Sequence, residues 1–309
     1  MQVFALQQEK VTEIGLTDVR GETALCLGSF DGVHTGHASL IRQTVTGAKK
    51  ADLLPAVFCI DFPAGKDGEG LLCSREERLQ LLFGMGVSYV FLAEFADLAD
   101  LSPERFVSSV LVPLCHGKAA FCGENFRFGR SAAGDAACLQ RLLPGGVVPL
   151  YYQDGEKVSS TAIRTALAEG QTEKATAMLG RLYQLSGTVI SGKALGRTLG
   201  YPTANLNWPE QLFCPRHGVY VAEAIPENGK CYRAVTNIGV RPTVEKTGQV
   251  NCESTLLGYS GDLYGQKLTV RFLHFLRPEK HFPDVQSLQK QLDKDKKEAE
   301  IWDRTSTIN

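Results

Sequence analysis

No run of apolar residues in the sequence approaches the ~18 that span a bilayer. The opening stretch, "MQVFALQQEKV", lacks the basic segment and apolar core of a leader. Both absences point to a cytoplasmic protein with no membrane partner. Neither sign of charge is in excess: 33 Lys and Arg stand against 34 Asp and Glu, a formal net charge of −1. That removes the chain-wide field on which a nucleic-acid or membrane-surface binder relies, so any phosphate binding has to be local. The nine cysteines, Cys26, Cys59, Cys73, Cys115, Cys122, Cys138, Cys214, Cys231 and Cys252, are odd in number, scattered and without a CxxC pair. They read as reduced thiols of the core and exclude a disulfide framework. With six histidines and no HExxH, a metalloprotease-type zinc site has no support. A Walker GxxxxGK[ST] loop, internal repeats and low-complexity tracts are also missing.

What is present is globular: 309 residues, 43% hydrophobic and 22% charged, enough for two ordinary domains. In the first half, strand-like and helix-like runs alternate. "TALCLGSF" precedes "HASLIRQTVTGAKKA", "PAVFCI" leads to "SREERLQLLFGMG", and "VSYVFLAEF" leads to "SPERFVSSVLVPL". Such alternation predicts a parallel sheet covered by helices. Ser74 with Glu77, and Ser102 before Pro103, are predicted helix starts. From Ser186 to Arg277 the pattern changes to short β-type runs with Gly and Pro turns ("SGTVIS", "GVYVAEA", "YRAVTNIG", "ESTLLGY", "KLTVRFLHFL"), which predicts a compact antiparallel barrel. An amphipathic C-terminal helix follows, with Val285, Leu288 and Leu292 on one face. The seam is predicted near residue 184, separating domains 1–184 and 185–309.

Two stretches carry chemistry in the first half. "LGSFDGVHTGHASLI" lies where a strand turns into a helix, the place in an open α/β sheet where free N–H groups meet phosphate. Gly28 and Gly32 allow close backbone approach. His34 and His37, three apart, share the first helical turn and can reach one phosphate group. "VSSTAIR" offers the hydroxyls of Ser159, Ser160 and Thr161, with Arg164 a turn further on, donors suited to a polyphosphate. A metal half-site for the histidine pair, and a plain helix cap for the Ser-Ser-Thr run, are the ordinary alternatives. In the second half, "SGKALGRTLGYPTANLN" combines Gly192, Gly196 and Gly200 with Lys193 and Arg197, a loop composition that alone is a weak phosphate signal.

Taken together the stretches resemble known signatures. "GSFDGVHTGH", with Gly28, Phe30 and Gly32, is similar to the GxFDGxHxGH element of the nucleotidyltransferase superfamily, and "SSTAIR" to its second element. "GENFRFGRSAAGD" resembles the flavin segment of the bacterial bifunctional riboflavin kinase/FMN adenylyltransferases. "GRTLGYPTAN" resembles the riboflavin kinase signature, and "NIGVRPTV" and "CESTLLGYSGDLYGQKLTVRFLHFLRPEKHF" follow in that family's order. The resemblance implies a Rossmann-like parallel α/β nucleotidyltransferase domain, then a small antiparallel β-barrel of riboflavin kinase type with a C-terminal helix. It implies adenylyl transfer from ATP to FMN in the first half, with His34 and His37 donating to the phosphate oxygens and Ser160, Thr161 and Arg164 holding the polyphosphate. Asn125, Phe126 and Phe128 would lie beside the flavin, or the phenylalanines in the core. In the second half it implies phosphoryl transfer from ATP to riboflavin. There Glu253 would be general base, Thr203 and Asn205 would lie at Mg²⁺, Lys193, Gly196, Arg197 and Gly192 would cover the nucleotide, and Arg277 would sit near the flavin.

One segment departs from the family. Where FxPHP is usual, this chain reads "CIDFPAGKDGEG", keeping Asp61 and Pro63 but no histidine. Slower adenylyl transfer, or recruitment of another residue such as Lys66, both stay open. A riboflavin kinase with a weak first half is therefore the alternative reading, and a flavin or nucleotide sensor without turnover a third.

Overall fold

The computed structural model describes residues 2–7, 10–13, 19–62, 65, 68–191, 203–240 and 249–303. The chain divides into two compact units, residues 1–162 and 163–309. The first is built on a seven-stranded sheet of β1 (Gln2–Gln7), β2 (Lys10–Glu13), β3 (Thr23–Gly28), β4 (Leu54–Asp61), β5 (Tyr89–Glu94), β6 (Gly117–Gly123) and β7 (Gly145–Val148), in the order β2-β1-β5-β4-β3-β6-β7. All neighbours pair parallel except β2, which runs antiparallel on β1. Buried on both faces, β3 to β5 are apolar almost without interruption, as parallel strands must be. Leu25, Leu27, Phe58 and Phe91 face one layer. Cys26, Val57, Cys59 and Val90 face the other, with Leu40 and Ile41 of α1 (Thr35–Lys50) and Leu82 of α2 (Arg75–Gly84).

Local signals set the helix ends. Ser74 Oγ accepts from Glu77 N at 3.1 Å, and Ser102 Oγ from Arg105 N at 3.2 Å with Pro103 at the first helical position. This helix, α3 (Pro103–Arg105), widens to π over Phe106–Leu111. Glycine is obligatory at 145, where a Cβ would lie 1.8 Å from the carbonyl oxygen of Ala120. Strand β1 has no counterpart in the sequence-based expectation. It is parallel to β5, a partner more than eighty residues away that no local pattern reveals.

Helix α4 (Ser160–Ala168) runs across the division, and in the second unit α5 (Thr172–Leu179) leads into an antiparallel six-stranded sheet. Its strands are β8 (Tyr183–Thr188), β9 (Thr203–Asn207), β10 (Gly218–Pro226), β11 (Tyr232–Val240), β12 (Val250–Leu256) and β13 (Lys267–Arg277), in the order β8-β13-β10-β11-β12-β9. The sheet curls until Ile190, just past one edge strand, donates its N–H to Asn205 O on the other at 2.9 Å. The boundary expected near 184 falls inside β8. The division of contacts comes earlier because α5 packs on β8 and β13, with His274 Nδ1 2.5 Å from Glu173 Oε1.

The barrel interior holds Tyr183, Tyr220 and Trp208 around Phe272, with ring centroids 6.3, 5.3 and 6.0 Å away. Phe272→Ala is expected to cost the second unit about 3–5 kcal/mol, read as a lowered urea midpoint in Trp fluorescence. The opposite face of the sheet carries α6 (Val285–Ile301). The face read from periodicity is the one turned inward: Leu288 and Leu292 are half-buried on the same side of α6 as its buried positions Asp295 and Ala299, while Val285, in the first turn, is exposed. An acid breaks an apolar stripe read from sequence, yet here it is the acid that docks.

Candidate active sites

In the first unit a cleft of about 430 Å³ opens at the carboxyl ends of β3, β4, β6 and β7. Gly28, His34, His37, Asn125, Phe126, Ser159, Ser160 and Thr161 all line it. The turn after β3 is tight: Phe30, Gly32 and Val33 take φ values of 51°, 74° and 40°. Left-handed conformations at Phe and Val store strain of roughly 1–3 kcal/mol each, held by burial of both side chains. The Phe30 side chain belongs to the core and is not part of the lining of the cleft. Its ring has no exposure, sits under Gly28 and lies 5.2 Å from the His37 ring.

His34 is the N-cap of α1 and its Nδ1 accepts from His37 N at 3.2 Å. An accepting Nδ1 leaves the proton on Nε2, which makes that nitrogen a donor. The two imidazoles stack, centroids 3.7 Å apart and 13° from coplanar. Burial, then the charges of His34 and Arg78, holds His37 well below the usual histidine pKa, so it is neutral at pH 7. Its Nδ1 is buried without a hydrogen-bond partner among the described residues. A neutral ring with its lone pair there carries its proton on Nε2 as well. Each ring can therefore offer an Nε2–H donor to one anion.

The second signature closes on the first: Ser160 Oγ donates to Asp31 O at 3.1 Å, and Ser159 Oγ caps α4 by accepting from Ala162 N at 3.2 Å. Arg164, one turn along that helix, is 3% exposed, and the lining of the cleft ends at Thr161. Of the two places left open for Phe128, flavin side or core, it takes the core. It is buried in the core against Phe106 and stacks on Phe126, which alone of the two lines the cleft. Lys66 lies outside the described residues. Cys59 contributes no nucleophile, since burial pushes its thiol up to about 12. Sequence reasoning missed Arg127, Lys157 and Tyr151, which also line the cleft; the cations stand inside or beside the quoted motifs and could have been read from that proximity.

In the second unit a cavity of about 270 Å³ lies between the outer sheet face and α6. Register assembles it: Glu253 is opposite Asn205 on one side and Asn237 on the other, and Thr203 is opposite Thr255. Thr203 donates its hydroxyl to Glu253 Oε1 at 2.6 Å. Asn205 is 3% exposed and its Oδ1 accepts from Asn251 Nδ2 at 2.8 Å. It stands next to the cavity, not among its lining residues. Arg277 does line it, but its guanidinium grips Asp295 of α6, with Nε to Oδ1 at 3.0 Å and Nη2 to Oδ2 at 2.7 Å. That charge is already matched, so Arg277 acts as a strut fixing α6 as a wall. Gly192, Lys193, Gly196 and Arg197 lie outside the described residues. Asn237, Glu279 and Phe282 were missed, because only pairing and the return of the chain after β13 bring them to the cavity.

Comparison with known proteins matches both halves. A family model described as FAD synthetase covers residues 17–162, and one described as riboflavin kinase covers 179–302. A bifunctional riboflavin kinase/FMN adenylyltransferase of Haemophilus influenzae is 34% identical over 290 residues, 90% of this chain and 94% of the relative. One of Bacillus subtilis is 30% identical over 297 residues, 92% and 93% of the two chains. The chain belongs to the bifunctional riboflavin kinase/FMN adenylyltransferase family. Its fold matches a crystal structure of a Streptococcus pneumoniae protein named a macrolide-efflux protein, with TM-score 0.86 and 28% identity over 97% of this chain and 99% of that one. Transport is said of that protein; among the described residues here, no helix is long and apolar enough to cross a membrane. Bifunctional relatives of this similarity favour two activities over a kinase with an inert first half.

Proposed function

We propose that this chain makes FMN from riboflavin in its second unit and FAD from FMN in its first, using ATP for both. The observation that carries the reading is that each unit gathers its own signature residues into one cleft: the stacked His34–His37 pair with Ser159 to Thr161 in one, the Thr203–Glu253 pair in the other.

In the first unit a phosphate oxygen of FMN attacks the α-phosphorus of ATP, the α–β P–O bond breaks, and pyrophosphate leaves. His34 and His37 donate to oxygens that gain charge, Ser160 and Thr161 hold the departing pyrophosphate, and Asn125 and Phe126 take the flavin. In the second unit Glu253 accepts the proton of the riboflavin 5′-hydroxyl as the γ-phosphoryl moves onto it. Thr203 Oγ1, the Glu253 carboxylate and nearby Asn205 form an all-oxygen set that fits a hard divalent cation. With one carboxylate in that set, Mg²⁺ would arrive mainly as the nucleotide's ion. When bound it neutralises phosphate charge. We place the protein in the cytoplasm, where its nine free thiols stay reduced.

Incubating the purified protein with ATP, Mg²⁺ and either riboflavin or FMN, and separating the flavins by chromatography, tests the reading. Riboflavin should yield FMN and then FAD, and FMN should yield FAD. FMN without FAD from either substrate would remove the first activity, and no product would leave only a binding module.

A further inference from the structure

One charged cluster lies behind the first cleft and none of the steps above uses it. Arg78 of α2 is 4% exposed. Its Nη2 is hydrogen-bonded to Asp61 Oδ1, and its Nη1 donates to Ser29 O at 3.3 Å. The Nε of Arg78 is buried and has no hydrogen-bond partner among the described residues. Asp61 does not neutralise this cation alone, because its other oxygen takes Arg75 Nη2 at 3.2 Å. Two guanidinium groups thus share one carboxylate, and Arg75, with its side chain 53% exposed, can be screened by water while Arg78 cannot.

Burying a guanidinium without a full complement of acceptors is costly, so a fold that keeps one gains from an anion placed in reach of its field. The anion's place is indicated by what Arg78 grips. Ser29 lines the cleft, and its carbonyl also accepts from Cys59 Sγ at 3.1 Å, so two donors pin the turn that leads to His34 and His37. The charge of Arg78 is felt at His37 itself.

We propose that Arg78 is a positioning residue for adenylyl transfer: it fixes the turn through Ser29 O and holds a buried positive charge behind the histidine pair, with Asp61 orienting it. The proposal rests on the adenylyltransferase reading of this cleft, and concerns charge rather than mere support.

Arg78→Gln and Arg78→Lys separate the two roles. Gln keeps amide donors for Asp61 and Ser29 O but no charge; Lys keeps the charge. In FAD formation from supplied FMN, Arg78→Gln should lower kcat about 30-fold or more with KM for ATP and FMN within about threefold, while Arg78→Lys stays within about fivefold of wild type. Riboflavin phosphorylation should be unchanged in both, which reports that the preparation is sound. Gln and Lys variants equal to each other, or a loss confined to KM, would overturn the proposal. If Arg78→Gln fails to fold, Asp61→Asn decides. Asn keeps an oxygen to orient Arg78 but removes its counter-charge, which should raise kcat for FAD formation about threefold or more with KM for ATP and FMN little changed, and a collapse of kcat instead would make Asp61 the working group. Wild-type protein that forms no FAD would defeat the adenylyltransferase reading, a result distinct from any difference among variants.

Discussion

Glu253→Gln should lower the rate of riboflavin phosphorylation about 10³-fold, the middle of the range for losing a general base, and leave FAD formation from supplied FMN unchanged. The substitution is nearly isosteric. Its amide oxygen can still accept from the Thr203 hydroxyl, which donates to Glu253 Oε1 at 2.6 Å, and the pairing of β12 with β9 and β11 is made by backbone atoms that do not change. What disappears is the capacity to take a proton, so kcat should fall with little change in KM or in thermal stability. Initial rates of FMN formation, by chromatography or by release of labelled phosphoryl groups from ATP, measure it. Wild-type rates in Glu253→Gln would refute the assignment of the base.

His37→Ala should do the reverse, slowing FAD formation about 10²–10³-fold, the cost of one preorganised donor to developing charge, with riboflavin phosphorylation intact. His37 is neutral at pH 7 because burial and the neighbouring charges of His34 and Arg78 hold its pKa far below the usual value. It therefore acts as a donor of fixed protonation over the neutral range, and the loss in His37→Ala should be the same at pH 7 and pH 8. Removing the ring also strips His34 of its stacking partner at 3.7 Å, so part of the loss comes from a looser His34. If Glu253→Gln and His37→Ala each abolished both activities in folded protein, the claim of two independent sites would fall.

The sequence by itself determined most of the plan. Alternating runs identified the parallel sheet, Ser74 and Ser102 marked helix starts, and the order of short β-runs identified the antiparallel unit, because periodicity and capping are local properties of the chain. The motif placed His34 and His37 in a cleft for a related reason, since both sit on one turn whose geometry is set within a few residues, whereas Thr203 and Glu253 meet only through the pairing of β9 with β12.

Tertiary structure alone decided the rest. Nothing local distinguishes Phe126, at the cleft, from Phe128 and Phe30, which fill the core; the distinction depends on which face of a strand or turn meets Phe106 and Gly28. Charged residues show the same more sharply. Arg78 and Asp295, which no motif singles out, are buried, and each is tolerable only because a partner 17 or 18 residues away in sequence meets it. A buried charge is stable only when its counter-charge is brought to it, and that pairing is a property of the folded chain, so no stretch of sequence shows it in advance.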